Sequence, residues 1–368
     1  MHIKKLQTYI FKEVLNPFLG GVVFFAFVFL LFQMLRLAEE LIVNNAPFGM
    51  VMKLLWTLTV NFLPLGLPLA FLLGVLFAFS RFSSDSEIVA MKSGGMSLSS
   101  ISKPVFALAV VVSGLSLFLN LNWTPWSEVA SRQVLMKIGN RKFFSSINEG
   151  TFSSSFFNMV MFTERVNHRI GKLEKVFIYD ERNSKNPLTV ISKKGELIRV
   201  QPNEDDVGGV VLQLQDGSIH QSDLNHQSYS LANFDTYQIF FDIPGSRGKV
   251  GMRPKMLNIS ELQAKRSKPD LKPNEKLELD TEFWRRISVA MVPILFVFMG
   301  IGFGIVKTRG RRTNVLLVAF ITMALYWQIQ VSSIWISESG VFPPWLALQI
   351  PNLLVLGVGL FQYKRAAW

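Results

Sequence analysis

Residues 61–97 read NFLPLGLPLAFLLGVLFAFSRFSSDSEIVAMKSGGMS, and the change of character at Arg81 decides the fold. Up to Ser80 the run is almost wholly apolar. Counted from position 52, it exceeds the ~20 residues that a helix needs to cross a bilayer. From Arg81 the chain is polar, and a new apolar stretch begins at 101. The pattern is a membrane helix, a tight polar loop and a returning helix. Pro64 and Pro68 fall inside the first of these, so a kink or break is expected there.

Working outward, apolar stretches of the same kind occupy about 16–36, 52–80, 101–122, 287–306, 313–335 and 342–362. The fold class is a membrane α-helical protein with six transmembrane helices in a 3+3 division. An all-β jellyroll-like domain is inserted between the two halves. Residues 1–122 hold helices one to three with a short loop helix at about 84–94, 123–283 the β domain and its linker, and 284–368 helices four to six. The start, MHIKKLQTYIFKEVL, resembles a signal peptide, but the apolar run continues from Phe18 to Leu35 with no small-residue cleavage site. It reads as a retained helix. Gly300, Gly302 and Gly304 in the fourth apolar stretch suit close helix packing.

The formal net charge is +12. Residues 125–283 carry 22 Lys/Arg and 20 Asp/Glu, whereas the apolar remainder carries 16 and 6. The basic excess therefore sits singly at the ends of apolar runs, not clustered on one face, which excludes a nucleic-acid site. With no cysteine there is no disulfide framework. The bias of Lys and Arg in short loops sets orientation. Lys4, Lys5, Lys12, Arg81, Lys92, Lys103, Lys307, Arg309, Arg311, Arg312, Lys364 and Arg365 share one side. Both termini are accordingly cytoplasmic, and segment 123–286 lies outside.

That outside segment contains short runs rich in β-branched and aromatic residues, at 156–166, 173–181, 187–200, 208–221 and 229–243. The clusters ERNSKNP, QPNEDDVGG and LQDGS separate them as turns. Residues 244–283 read as a polar linker with one short helix near Ile259–Lys265. The chain has no phosphate-binding G-x-x-x-x-G-K-[ST] loop, no nucleophile elbow and no zinc-protease motif. Its histidines have no metal-ligand spacing. No acidic residue in the apolar runs suggests a proton relay. A transporter of this kind has to draw its energy from a partner.

The loop that would receive it is RFSSDSEIVAMKSGGMS (81–97). Ser84 as N-cap and Glu87 at N3 would form a capping box, and Gly94-Gly95 would end the helix. With Ile88 and Met91 on one face, such a helix suits docking into a groove on a partner; the plainer role for Glu87 is capping its own helix. The stretch SSDSEIVAMKSGGMS resembles the coupling-helix signature of the LptF/LptG family of lipopolysaccharide export permeases. KKLQTYIFKEVL (4–15), NFLPLGLPLAFLLG, EGTF (149–152), VMFTERV (160–166), VFIYDE (176–181) and NFDTYQIFF (233–241) extend the resemblance over nearly the whole chain. NWTPWSEVASRQVL (122–135) and FWRRISV (283–289) lean toward LptF.

The resemblance implies a permease subunit of an ABC-type exporter in the bacterial inner membrane, which is not itself an enzyme. It would work with a cytoplasmic ATPase dimer, a sister permease, a single-helix periplasmic accessory protein and a periplasmic bridge protein. Lipopolysaccharide would be extracted from the membrane and passed outward. No cofactor is expected on this chain, the ATP being used by the partner. Glu87 matches the coupling-helix acid, and Asp85, Ile88 and Met91 would line the same contact. Arg36, Arg285 and Arg286, at outward helix ends, are candidates for lipid phosphates. Their alternative is pairing with Glu282, Glu39 or Glu40. Phe25, Phe29 and Phe32 on helix one, with Phe156, Met159, Met161 and Ile178 in the β domain, are candidates for an acyl-chain path. In a closed β domain the last four would be core. The rival readings are a lipoprotein- or peptide-exporting permease, which resembles a four-helix plan, and a membrane scaffold whose β domain docks partners.

Overall fold

The computed structural model describes the chain except residues 1, 44–46, 146–148, 157–158, 168–170, 182–186, 200–209, 224–227, 242–252, 270, 306–313 and 368, together with some side chains bordering these gaps. Lys307, Arg309, Arg311 and Arg312 of the orientation argument lie outside the described residues. Two compact units emerge. One comprises Met1–Leu37, Leu55–Ala130 and Met252–Trp368, the other Ala38–Leu54 and Ser131–Gly251.

The first unit is helical. Its long helices are α1 (His2–Val43), α2 (Phe48–Ser84), α4 (Leu98–Phe118), α7 (Pro273–Gly304), α8 (Val315–Glu338) and α10 (Ile350–Ala367). Shorter ones are α3 (Glu87–Ser93), α6 (Ile259–Arg266) and α9 (Pro344–Ala347), while α5 (Thr124–Ser145) belongs to this unit only as far as Ala130. Among the described residues six spans are long and apolar enough to cross a membrane. Buried residues make up 78% of the apolar stretch in α2 and 72% in α7, but 6% in α1 and 22% in α8. So α2 and α7 are the core pair, and α1 and α8 are the least enclosed.

The sequence reason is residue size at the contacts. A Cβ on Gly300 would meet Val75 at 2.6 Å, one on Gly304 would meet Phe79 at 2.7 Å, and one on Gly302 would meet the Gln362 and Tyr363 backbone at 2.9 Å. Hence α7 approaches α2 on one side and α10 on the other, as small residues permit in a bilayer. Phe71, Leu72, Leu76 and Phe79 of α2 and Phe296 and Ile301 of α7 fill the space between. Gly302→Val is expected to lower stability by about 1–3 kcal/mol, because the backbone it strikes cannot rotate away. Gly357→Ala, which meets nothing within 4 Å, serves as the neutral control in a detergent melting series.

Helix α2 runs unbroken through Pro64 and Pro68. Pro68 has no N–H for the Pro64 carbonyl, and the Ser116 hydroxyl of α4 donates to that carbonyl instead, at 3.4 Å. Farther along, α7 and α10 share a polar seam, which α8 joins through the Tyr326 hydroxyl donating to Asn352 Oδ1 at 3.4 Å. The Asn352 amide donates to the Ser288 hydroxyl at 3.0 Å and to Gln349 at 2.9 Å, and the Ser288 hydroxyl donates to the Leu348 carbonyl at 2.6 Å.

Helix three extends beyond the expected end at 122: a π-helical turn, Leu119–Trp123, carries α4 directly into α5. The supposed linker is largely helical too. Asn258 and Glu261 form a capping box at the head of α6, with both reciprocal bonds at 2.9 Å. Helix α7 starts at Pro273, well ahead of its apolar run, because Leu279 packs with Leu257 and Leu262 in a small core of its own.

The second unit holds the strands β1 (Phe152–Phe156), β2 (Met159–Asn167), β3 (Lys172–Asp180), β4 (Leu188–Arg199), β5 (Val210–Asp223) and β6 (Ser228–Phe241). They form one antiparallel meander in sequential order. The sheet buries its own apolar face, and among the described strands there is no Greek-key crossover. Two expectations are corrected. The stretch 156–166 contains the end of β1 as well as β2, and LQDGS lies inside β5 and does not turn the chain.

The sheet has a crease. In β2 to β6 the inward alternation slips by one residue at Glu164–Arg165, Glu174–Lys175, Lys193–Lys194, Gln215–Asp216 and Asp235–Thr236. These slips align across the strands, and Lys175 and Asp216 have φ of 49° and 54°. At each slip one residue of either strand is skipped and the register resumes unchanged, so the sheet is creased across these strands without an extra residue in any of them. The buried face carries Met161, Val176, Ile178, Val190, Leu212 and Leu214, a core made of strand residues alone. On the outer side of the crease Lys175 pairs with Glu164 at 2.6 Å and holds that carboxyl below the usual range.

Candidate functional site

The loop between α2 and α4 is built by three local events. Helix α2 continues through Ser84, Ser86 then turns the chain at φ 60°, and α3 begins at Glu87. The expected capping box is therefore not formed: Ser84 is still helical and Glu87 opens the next helix instead of standing at its third position. At the far end the Met96 N–H bonds the Met91 carbonyl and the Gly95 N–H bonds the Lys92 carbonyl, at 3.1 and 3.0 Å. This Schellman stop uses Gly95 at φ +83°, where a side chain would be strained.

Freed from capping, the Glu87 carboxylate accepts the Tyr9 hydroxyl of α1, at 3.1 Å to each oxygen. Arg81 Nη2 donates to the same hydroxyl at 3.1 Å, pairs with Glu13 and lies 3.6 Å from Asp85. At the other end of α3, Lys92 Nζ donates to the carbonyls of Ala366 and Ala367 at 2.9 and 3.1 Å. So α3 is tied to α1 through its head and to the end of α10 through its tail. A cavity of about 600 Å³ lies alongside, lined in part by Glu13, Phe77, Arg81, Asp85 and Val315.

The expected contact residues divide. Asp85 is exposed and Glu87 half-buried, but Ile88 is 4% exposed and belongs to the helical core, with Met91 packed against it. The notion of Ile88 and Met91 as an outward pair is corrected: an amphipathic helix on a membrane protein seats its apolar face on its own body first. The free face carries Asp85, Val89, Ala90 and Ser93. Tyr9, Glu13, Arg81 and Lys92 escaped sequence reasoning as parts of this site, since each sits at a distance in sequence or reads as a topology charge.

At the start of the α7 apolar run, Glu282 binds two arginines. Arg285 donates through Nε to Oε2 and Nη2 to Oε1 at 2.7 and 2.8 Å, and Arg286 Nε donates to Oε1 at 2.9 Å. Arg286 is fully buried, and its Nη2 donates to the carbonyls of Leu257 and Pro254 at 2.9 and 3.1 Å. It clamps the turn before α6 and is not a cation offered to a headgroup, which corrects its candidacy. Glu282 lies ahead of the apolar run at 287–306, and two guanidiniums hold it as a structural ion.

Arg285 remains partly open and lines a second cavity of about 270 Å³ with Phe29, Asn61, Glu128, Lys255 and Trp327. The Asn61 amide donates to Glu128 there at 2.7 Å. Phe29 stacks on Phe62 at 4.3 Å, Phe25 packs on the core, and Phe32 and Arg36 are exposed. In the β domain, Met159, Met161 and Ile178 are each at most 2% exposed, so they are sheet core. The Phe156 side chain lies outside the described residues. The His220 ring is engaged by Ser218 and Tyr229, and no group of three metal-ligating residues occurs among the described residues.

A family model described as lipopolysaccharide export system permease LptF/LptG matches residues 8–365. The chain is 22% identical over 356 residues to the lipopolysaccharide export system permease protein LptF of Escherichia coli (strain K12), which covers 96% of this chain and 92% of that one. It is 26% identical over 241 residues to the permease protein LptG of Haemophilus influenzae, covering 63% and 64%.

Proposed function

The chain belongs to the LptF/LptG family, the permease of the lipopolysaccharide export system, and on that premise we propose that it converts ATP hydrolysis in a separate cytoplasmic ATPase dimer into extraction of lipopolysaccharide from the inner membrane. The observation that carries this reading is α3, a seven-residue helix whose acid reaches one membrane helix while its lysine holds another. A short helix so tethered can pass a push from a docked partner into the bundle. Glu87 and Asp85 are the coupling acids, with Val89 replacing Ile88 as the apolar contact.

Both termini and α3 face the cytoplasm, following the Lys and Arg bias, and the creased sheet faces the periplasm. Arg285, at the rim of the smaller cavity, is the headgroup cation, with Phe29 beside it for an acyl chain. The LptF role is favoured over LptG because the alignment to LptF spans 96% of the chain against 63%. The chain pairs with a sister permease, works with a single-helix accessory protein and delivers lipid to a periplasmic bridge. ATP is bound by the partner alone. Purification from its native membrane in mild detergent should yield this chain together with an ABC ATPase, a second 3+3 permease and lipopolysaccharide, seen by mass spectrometry. A monodisperse, folded chain that emerges without ATPase and without lipid overturns the proposal.

A further inference from the structure

We infer that Tyr9 is a positioning residue that links the loop helix to α1, so that motion imposed on Glu87 reaches the least enclosed helix of the bundle. The inference rests on the coupling role proposed above for Glu87 and adds the element on which that residue acts.

Three observations converge. First, the apolar stretch of α1 is 6% buried, the smallest share among the six spans. Its anchor is the N-terminal portion, where Ile10, Val14 and Phe18 enter the core. Second, the polar links at that anchor meet at Tyr9, whose hydroxyl accepts from Arg81 of α2 while its own proton goes to Glu87. Arg81 ties α1 to α2 through Glu13, whereas the Tyr9 hydroxyl is the bond from α1 to the head of α3. Third, the Tyr9 ring packs against Phe82 with centroids 5.7 Å apart, which fixes the direction of the hydroxyl independently of the bond it makes. Removing the oxygen alone leaves the ring seat and the Arg81–Glu13 pair in place. A rigid ring on one helix, holding the first residue of another by a bond to a charged acceptor, transmits displacement where an apolar contact would slide.

Tyr9→Phe removes that bond together with the Arg81 donation to the same oxygen, while Arg81 keeps its pairing with Glu13. In proteoliposomes containing the co-purified permease–ATPase complex and lipopolysaccharide, ATPase association should match the parent and ATP hydrolysis should stay within about twofold. Lipid extracted per ATP should fall at least about fivefold. A merely structural role would lower yield or melting temperature without changing that ratio. An unchanged ratio overturns the inference, as does loss of ATPase association, which would make Tyr9 part of the docking surface. Glu87→Gln runs in parallel. If it leaves association and export intact, the coupling reading itself fails; if it abolishes them while Tyr9→Phe keeps the parental ratio, only the positioning role fails.

Discussion

Glu87→Lys should release the partner ATPase and stop lipid export while the permease remains folded. The carboxylate is half-buried at the head of α3, close to Tyr9 and Arg81, and its replacement sets a cation beside Arg81. A hydrogen bond to a charged group contributes ~1.5–3 kcal/mol, and repulsion of any basic group on the partner adds to the loss. At roughly 1.4 kcal/mol per tenfold, ATPase affinity should drop by at least about tenfold to a hundredfold. Co-precipitation of the ATPase and export in proteoliposomes measure it. Melting should change little, because Ile88 and Met91 still seat α3 on the core. Parental export by the lysine variant would sink the coupling assignment and favour a scaffold whose β domain docks partners.

Glu282→Ala should act on the fold rather than on coupling. It leaves Arg286, fully buried, with three carbonyls and no anion. Breaking a buried pair by removing one partner costs about 3–5 kcal/mol, since the remaining charge cannot return to water. That is a large share of the ~5–15 kcal/mol that holds a typical domain together. Expected results are poor accumulation and early melting in detergent, with the turn at Pro254–Met256 released to proteolysis. Glu282→Ala combined with Arg286→Met should recover part of the loss, because an apolar pair of similar volume has no charge to desolvate. If the single variant melts like the parent, the clamp does not hold the turn.

Where the signal is periodic and local, the sequence alone specifies the element. All six spans, the β insertion and the short helix near Ile259 were legible from hydropathy, strand alternation and turn residues. So was the end of α3, because Gly94-Gly95 has a strong local preference. Element ends were not. Helix α7 begins at Pro273 because Leu279 finds Leu257 and Leu262, residues far enough away that no window on the sequence joins them. The crease was visible in principle, as consecutive polar residues at the same place in five strands, TERV, LEKV, SKKG, LQDG and FDTY. Read strand by strand, those pairs suggest turns or noise. Only their alignment in register makes them a crease.

The candidate site followed the same division. Glu87 was singled out from its loop and family resemblance, and the loop is where the sequence placed it. The capping box assigned to it formed instead at Asn258 and Glu261, since spacing fixes which pairs can cap and not which turn the backbone takes at Ser86. Arg285 and Arg286 are adjacent and chemically identical, so nothing local distinguishes a buried clamp from a cavity rim. A helical step of one residue rotates the side chain by about 100°, and what lies in that direction is a tertiary fact.

The sequence by itself thus determined a membrane body in two helical halves, the inserted sheet and the polar loop after Arg81, because these depend on composition within one span. Only the tertiary structure decided that this loop's acid is held by Tyr9, that its lysine grips the end of α10, and that Ile88 faces inward. Those outcomes depend on which helices meet, and the meeting of helices is set by glycine contacts and buried polar bonds between residues tens to hundreds of positions apart.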